Sequence, residues 1–198
     1  MPVISGESRY EALFTKNPLP ARDARQAFWA HLLNSGVAGH TYGANGVWQA
    51  NLKGNPFGKS PGGNNWGEIP WDEAMRLPGS TQLGTAKRFL ETLSWHKMGV
   101  VTNLASLKGQ APGTLSTSAT ADGRSALVYA LTQAPVTIDL ARFPGPVVAR
   151  WFDPTGGQIK AAFGSPQPNR GRQDFVPPGM NADGDSDWVL HLESSTTR

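Results

Sequence analysis

After Trp95 the sequence changes texture, and that change restricts the fold more than any other feature. Beyond it, β-rich runs follow one another between turn signals at 115–120, 126–132, 136–140, 147–152, 158–163 and 188–192. Asp122-Gly123 is a strong hairpin signal between the first two. The run Ala126-Leu127-Val128-Tyr129-Ala130-Leu131 is almost wholly apolar, as a core strand is. Short strands at this spacing predict an antiparallel β-sandwich over residues 99–198.

The first 98 residues read differently. A short β-branched run at 2–5 stops at Gly6-Glu7, as a buried parallel strand does. A polar loop with Pro18 and Pro20 leads into a predicted helix over 21–34. There Ala24, Ala27, Phe28, Ala30 and Leu32 lie near helical spacing, and Gly36 offers a stop. A second strand is predicted at 37–42, running into the Gly-rich stretch 43–46. Strand, helix, strand in that order implies a parallel pair with a helical crossover. Residues 49–70 form a long loop rich in Gly, Asn and Pro. A short helix fits 71–77. A longer one fits 81–93, with Ser80 as N-cap and Leu83, Ala86, Phe89, Leu90 and Leu93 on its buried face.

Composition excludes several classes of function. The 198 residues carry a net charge of +3, ten basic against seven acidic side chains in 1–98 and eight against eight in 99–198. Neither half has a basic stripe, so nucleic acid is not the expected partner. There is no cysteine, which removes disulfides, thiol catalysis and Cys-ligated zinc. No apolar run approaches membrane-spanning length, and Met1–Glu7 lacks the charged and apolar regions of a signal peptide. The acidic stretch 181–187 lacks the glycine position and terminal Glu of an EF-hand loop, so a solvated turn is expected there rather than calcium. No metal and no cofactor is implied. Seven Trp is a high count; most are expected in cores, but sugar sites also use exposed aromatic faces.

In a parallel barrel, side chains at strand C-terminal ends face the active site. The first candidate strand ends in Glu7, Tyr10 and Glu11, the second in His40, Tyr42, Asn45 and Trp48. Together they supply what glycosidases need: a carboxylate, hydrogen-bonding groups for hydroxyls and an aromatic platform. Spacing alone leaves plainer roles open. Glu7 or Glu11 could be a solvated loop acid, His40 a core histidine, Asn45 a turn residue and Trp48 a packing residue.

The runs Pro2-Val3-Ile4-Ser5-Gly6-Glu7-Ser8-Arg9-Tyr10-Glu11 and Gly39-His40-Thr41-Tyr42-Gly43-Ala44-Asn45-Gly46-Val47-Trp48-Gln49 resemble two late strands of the apiosidase-like glycoside hydrolase family. Trp71-Asp72-Glu73-Ala74 and Leu77-Pro78-Gly79-Ser80-Thr81-Gln82 resemble its final helical region. Arg150-Trp151-Phe152-Asp153-Pro154-Thr155-Gly156-Gly157, Pro177-Pro178-Gly179 and Asp187-Trp188-Val189-Leu190 resemble the collagen-binding-type domain of a collagenase that follows these barrels.

The resemblance implies α/β plus all-β architecture: the C-terminal part of a (β/α)8 TIM barrel over 1–98, then an antiparallel β-sandwich over 99–198. It implies a carbohydrate substrate, plant or microbial, with Glu7 as nucleophile of a retaining mechanism and Glu11 as second choice. Tyr10, His40, Tyr42, Asn45 and Trp48 would be subsite residues. The family's acid/base carboxylate is expected on an earlier strand, and Asp23 and Asp72 do not fit that role. The chain alone is therefore expected to be inactive, and to self-associate through exposed barrel strands. The alternative is a non-catalytic binding or structural module. The resembled family is often exported, which the sequence leaves open.

Overall fold

A computed structural model describes residues 3–14, 16–35, 38–59, 61, 66–107 and 115–194. The fold is mixed α/β with mostly antiparallel sheets. The chain divides into two compact units, Met1–His31 with Val37–Gly84, and Leu32–Gly36 with Thr85–Arg198.

In the first unit β1 (Ile4–Ser5) lies parallel to β2 (Gly39–His40), joined by α1 (Ala21–Ser35). This is the crossover that the order of elements requires. Residues 2 and 37 of the two expected strands lie outside the described residues. The buried positions of α1 are Ala21, Ala24, Arg25, Trp29 and Leu33, a face turned by about one residue from the expected one. Its phase depends on Arg25, which reads as a solvent residue but is buried, donating to Gln82 Oε1 at 2.6 Å. Two further helices, α2 (Trp71–Ala74) and α3 (Pro78–Glu91), follow the long loop. Ser80 is not an N-cap: α3 begins earlier, with Pro78 at its first position, where a missing N–H costs nothing. None of the described helices is long and apolar enough to cross a membrane.

The second unit holds nine strands among its described residues. They are β3 (Met98–Val100), β4 (Ala105–Leu107), β5 (Leu115–Thr120), β6 (Ser125–Ala130), β7 (Val136–Asp139), β8 (Val147–Phe152), β9 (Ile159–Ala161), β10 (Arg172–Phe175) and β11 (Trp188–Ser194). Six form one antiparallel sheet in the order β3-β5-β6-β11-β8-β9, and three another in the order β10-β7-β4. β3, β4 and β10 escape a reading of hydrophobic pattern because they are only three or four residues long, too short to show a period. Between β5 and β6, the Asp122 carboxylate accepts from Thr120 Oγ1 at 2.6 Å and from the Arg124 N–H at 3.1 Å, holding the hairpin turn.

Side chains from both sheets meet in one core, with Val128, Trp151, Trp188 and Leu190 from the larger and Ile138 and Phe175 from the smaller. The opposite face of the larger sheet is buried as well. There Phe152 stacks on Phe89 of α3, ring centroids 4.0 Å apart, and Ser118 Oγ donates to the Leu33 carbonyl at 2.8 Å. Burial on both faces is why 126–131 lacks the polar alternation of a half-exposed strand.

The Trp-Phe-Asp-Pro segment ends β8 in a built turn. Asp153 Oδ1 accepts from the Thr155 N–H (2.8 Å), Thr155 Oγ1 (2.6 Å) and the Gly156 N–H (3.0 Å), and Oδ2 accepts from the Ala182 N–H (2.9 Å). Burial works to raise this carboxyl's pKa, but the four hydrogen bonds outweigh it and the net shift is downward. The acidic stretch is not simply a solvated turn, because Asn181 organises it. Its Oδ1 accepts from the Asp185 N–H at 3.0 Å, and its Nδ2 donates to Asp187 Oδ1 at 2.9 Å; buried Asp187 also accepts from Tyr129 at 2.6 Å. Asp153→Ala would strand several buried donors and should cost about 2–3 kcal/mol of stability in urea unfolding. A loss below about 0.5 kcal/mol would show that the turn holds without its carboxylate.

Candidate functional site

The candidate residues lie in the first unit, where β1 and β2 end. Ser5 pairs with His40 and Glu11 with Ala44, both in parallel sense, so six steps of one segment run beside four of the other. The surplus residues loop outward between Gly6 and Tyr10, and this puts Glu7 in solvent. Tyr10, half-buried, donates its hydroxyl to Glu7 Oε1 at 3.4 Å. Burial first and the Glu7 charge second raise the pKa of this phenol, which keeps it a neutral donor to the carboxylate. Tyr10 packs over Gly43, where a Cβ would run into the ring, so only glycine allows this approach.

Glu11 has the opposite environment. It is 3% exposed, and its Oε2 accepts from the Tyr42 hydroxyl at 2.5 Å and from the Gly79 N–H at 2.9 Å. Gly79 is the second residue of α3, so the carboxylate caps that helix from a distant part of the chain. A Cβ at Gly79 would strike Glu11 Oε2 and the Tyr42 ring. Burial raises the Glu11 pKa against the two hydrogen bonds that lower it, while burial and Glu11 together raise that of Tyr42. The next residue, Ala12, is buried at φ 59°, a left-handed conformation uncommon for non-glycine residues.

The remaining candidates separate. His40 is half-buried; its ring lies 5.3 Å from Phe28 and 5.5 Å from His31, and its buried Nδ1 has no hydrogen-bond partner. Burial first and His31 second push its pKa down to about 4. Asn45 has no exposed surface; its Oδ1 accepts from Gln49, and its amide packs against Gly67. It is part of the loop's framework. Trp48 is 45% exposed and lies 6.2 Å from Tyr10 by ring centroids. The structure thus brings Glu7, Tyr10 and Trp48 into one exposed group and Glu11 with Tyr42 into a buried one. Two further aromatic residues, Phe57 and Trp66, join Trp48 from the long loop. The signal available for them was aromatic residues within a Gly- and Asn-rich loop. Among the described residues no three His, Asp or Glu side chains are grouped to hold a metal ion.

Residues 1–97 match the family profile described as "Apiosidase-like, catalytic domain". Residues 106–193 match that described as "Putative collagen-binding domain of a collagenase". No curated protein matches the chain. Among solved structures, a "Glycoside hydrolase" is similar over all of this chain and 43% of its own, with 23% identity and a TM-score of 0.77. A glycoside hydrolase family 5 structure from Bacteroides vulgatus ATCC 8482 is similar over 98% of this chain and 41% of its own, with 20% identity and a TM-score of 0.78. The chain spans less than half the length of either, and the likeness is one of fold. Residues 1–97 are thus similar to the apiosidase-like catalytic domain, in line with the fold likeness to glycoside hydrolases, and residues 106–193 are similar to the collagen-binding domain of a collagenase.

Proposed function

We propose that this chain carries the nucleophile side of a retaining glycoside hydrolase acting on plant or microbial glycans, with Glu7 as the attacking carboxylate. The observation behind this reading is the contrast between the two acids: Glu7 is exposed beside Tyr10 at a strand end, whereas Glu11 is sealed by Tyr42 and Gly79. In this reading residues 1–98 are the last part of a (β/α)8 barrel, and residues 99–198 are a β-sandwich. The parallel β1–α1–β2 unit supports the first, and the core shared by two antiparallel sheets supports the second.

The chemistry divides cleanly. A Glu7 oxygen attacks the anomeric carbon as the glycosidic C–O bond breaks, and the leaving oxygen takes a proton from a second carboxyl group about 5–5.5 Å away. Glu11 cannot play that second role, because both its oxygens lie in the interior and one is held by two donors. Trp48 would offer a stacking face beside Tyr10, whereas His40, packed on Phe28 and His31, and Tyr42, bound to Glu11, would act by supporting the strand ends. Asn45 would act through the loop it holds. The apolar residues Val3 and Ile4, exposed at β1, would favour self-association.

On ordinary glycosides, residues 1–198 alone should show no enzymatic turnover, since general acid catalysis worth about 10²–10⁴-fold is missing. An activated 2-deoxy-2-fluoro glycoside with a dinitrophenolate leaving group needs no proton donor. Incubated with a panel of such sugars, the chain should gain one glycosyl mass on Glu7, identified by peptide mass spectrometry, and Glu7→Gln should gain none. An adduct on Glu11, or none on any residue, would overturn the assignment and favour a non-catalytic module.

A further inference from the structure

We propose that the hollow between the β5–β6 hairpin and the chain leaving α3 binds a small anionic sugar, a polyhydroxylated ring carrying one carboxylate or phosphate group. The hollow lies wholly within the second unit, and the proposal does not rest on the reading of Glu7.

The cavity holds about 610 Å³, within the range of about 300–1,000 Å³ common for small-molecule sites. Its floor is the outer face of the larger sheet, where β11 contributes His191 and Glu193 and β6 contributes Ser125. One wall is the hairpin turn around Asp122. The other runs from the end of α3 to the single helical turn Trp95–Lys97. Most ligand sites are lined by apolar side chains. Here Leu93 and Ala121 are the only apolar lining residues among those described. A lipid or a plain aromatic ring would strip water from polar groups and give them no partner, whereas sugar hydroxyls would supply one.

Charge decides the class of sugar. Both lining carboxylates are already engaged. Asp122 accepts from Thr120 and from the Arg124 N–H and lies 3.8 Å from Arg124 Nε; these contacts, the Thr120 hydroxyl first, lower its pKa. Glu193 Oε2 accepts from Arg150 Nη1 at 3.2 Å. The cations are not used up. Lys97 has no carboxylate partner among the described residues. Arg124 meets Asp122 through Nε, which leaves both NH2 groups of its guanidinium for an acceptor. A planar fork of N–H groups fits a carboxylate or a phosphate, and an ammonium adds a point charge.

The rest of the hollow opposes neither the charge nor the ring. The Phe89 and Leu90 carbonyls, at the end of α3, already accept from the Thr92 and Leu93 N–H groups at 3.1 and 2.9 Å, so they do not face an anion bare. His191 is neutral near pH 7, since burial holds its pKa down at about 4, and its Nε2 lies 3.3 Å from Ser125 Oγ. The Ser94 hydroxyl and the second oxygen of Glu193 have no partner among the described residues and can meet sugar hydroxyls.

Titration of the full chain, followed by NMR, tests this. The probes are glucose, galactose and mannose, each as the neutral sugar, the uronate and the sugar phosphate. At least one charged form should bind saturably and shift the His191 imidazole signals, which are assigned with His191→Gln. The tighter of the uronate and the phosphate identifies the charged group. The neutral counterpart should bind at least about tenfold more weakly. Lys97→Gln and Arg124→Gln should each weaken binding about tenfold, the loss of one charge-assisted contact. Both side chains are exposed, and the exposed Arg124–Asp122 pair contributes little to folding. Lys160→Gln, on β9 at the edge of the sheet, should bind as the parent does. No saturable shift with any charged sugar, or equal binding of the neutral forms, would overturn the site. So would unchanged affinity in both variants, or acetate or inorganic phosphate binding as tightly as the sugars, which would mean an adventitious ion only.

Discussion

Replacing Trp188 with alanine should destabilise the second unit by about 3–5 kcal/mol, the range for deleting a fully buried large aromatic side chain. Trp188 is 1% exposed and packs in the core that both sheets share. Its indole N–H donates to the Gly179 carbonyl at 2.7 Å, and Lys160 Nζ sits 5.2 Å from the ring centroid. Truncation removes the buried surface and leaves a cavity that strands paired on both sides cannot collapse to fill. It also strands a carbonyl. The loss is large beside the 5–15 kcal/mol of net stability typical of a domain. Urea unfolding followed by near-ultraviolet circular dichroism should show the midpoint fall sharply or the transition vanish. Ile159→Ala, at an exposed position of β9, should stay within about 0.5 kcal/mol of the parent. Similar losses in the two variants would mean that Trp188 is not a core residue.

Acid should weaken the same unit, and His191 should supply much of the effect. This side chain is buried on the outer face of the larger sheet, with the Phe89 ring 6.0 Å away and Ser125 Oγ 3.3 Å from Nε2. Burial first, and Arg150 second, hold its pKa down at about 4, against an opposing pull from Glu193. The folded-state pKa therefore lies below the unfolded value near 6.5. Between those values the unfolded chain binds a proton that the folded chain refuses, so stability is full above pH 6.5 and is lost as pH falls toward 4. A shift of this size corresponds to about 3 kcal/mol at the acid end. Asp153 acts in the same sense, because its lowered pKa contributes stability that disappears as its carboxylate is protonated. Unfolding free energies measured from pH 7.5 to 4.5 should fall with acid in the parent chain and fall less in His191→Gln. Identical slopes in both would remove His191 from the account.

Much of the first unit could be read before any coordinates. A β-branched run, a helical stretch and a second short run between glycines leave a parallel pair as the economical arrangement, and β1, α1 and β2 form one. The candidate acids could not be told apart in the same way. Glu7 and Glu11 are four residues apart in one polar stretch, and nothing local distinguishes them. Their environments differ because Tyr42 and Gly79, 31 and 68 residues further on, close around one of them. The burial of Arg25 is hidden from the sequence for the same reason: its partner Gln82 is 57 residues away. The Trp-Phe-Asp-Pro segment stood out as a family mark, but the work of Asp153 as a clamp on Ala182, 29 residues away, was not visible in it.

What the sequence determined by itself was the kind and order of elements and which large apolar residues would be buried in the second half, Tyr129, Trp151, Phe152 and Trp188 among them. These follow from side-chain alternation, turn chemistry and the transfer of apolar surface from water, all of which act over a few residues. Only the tertiary structure decided which carboxylate meets solvent, which polar residues are buried, and that Phe57 and Trp66 pack against Trp48. The reason is that desolvation and hydrogen bonding are set by whatever the fold brings close, and partners tens of residues apart leave no periodic trace in the chain.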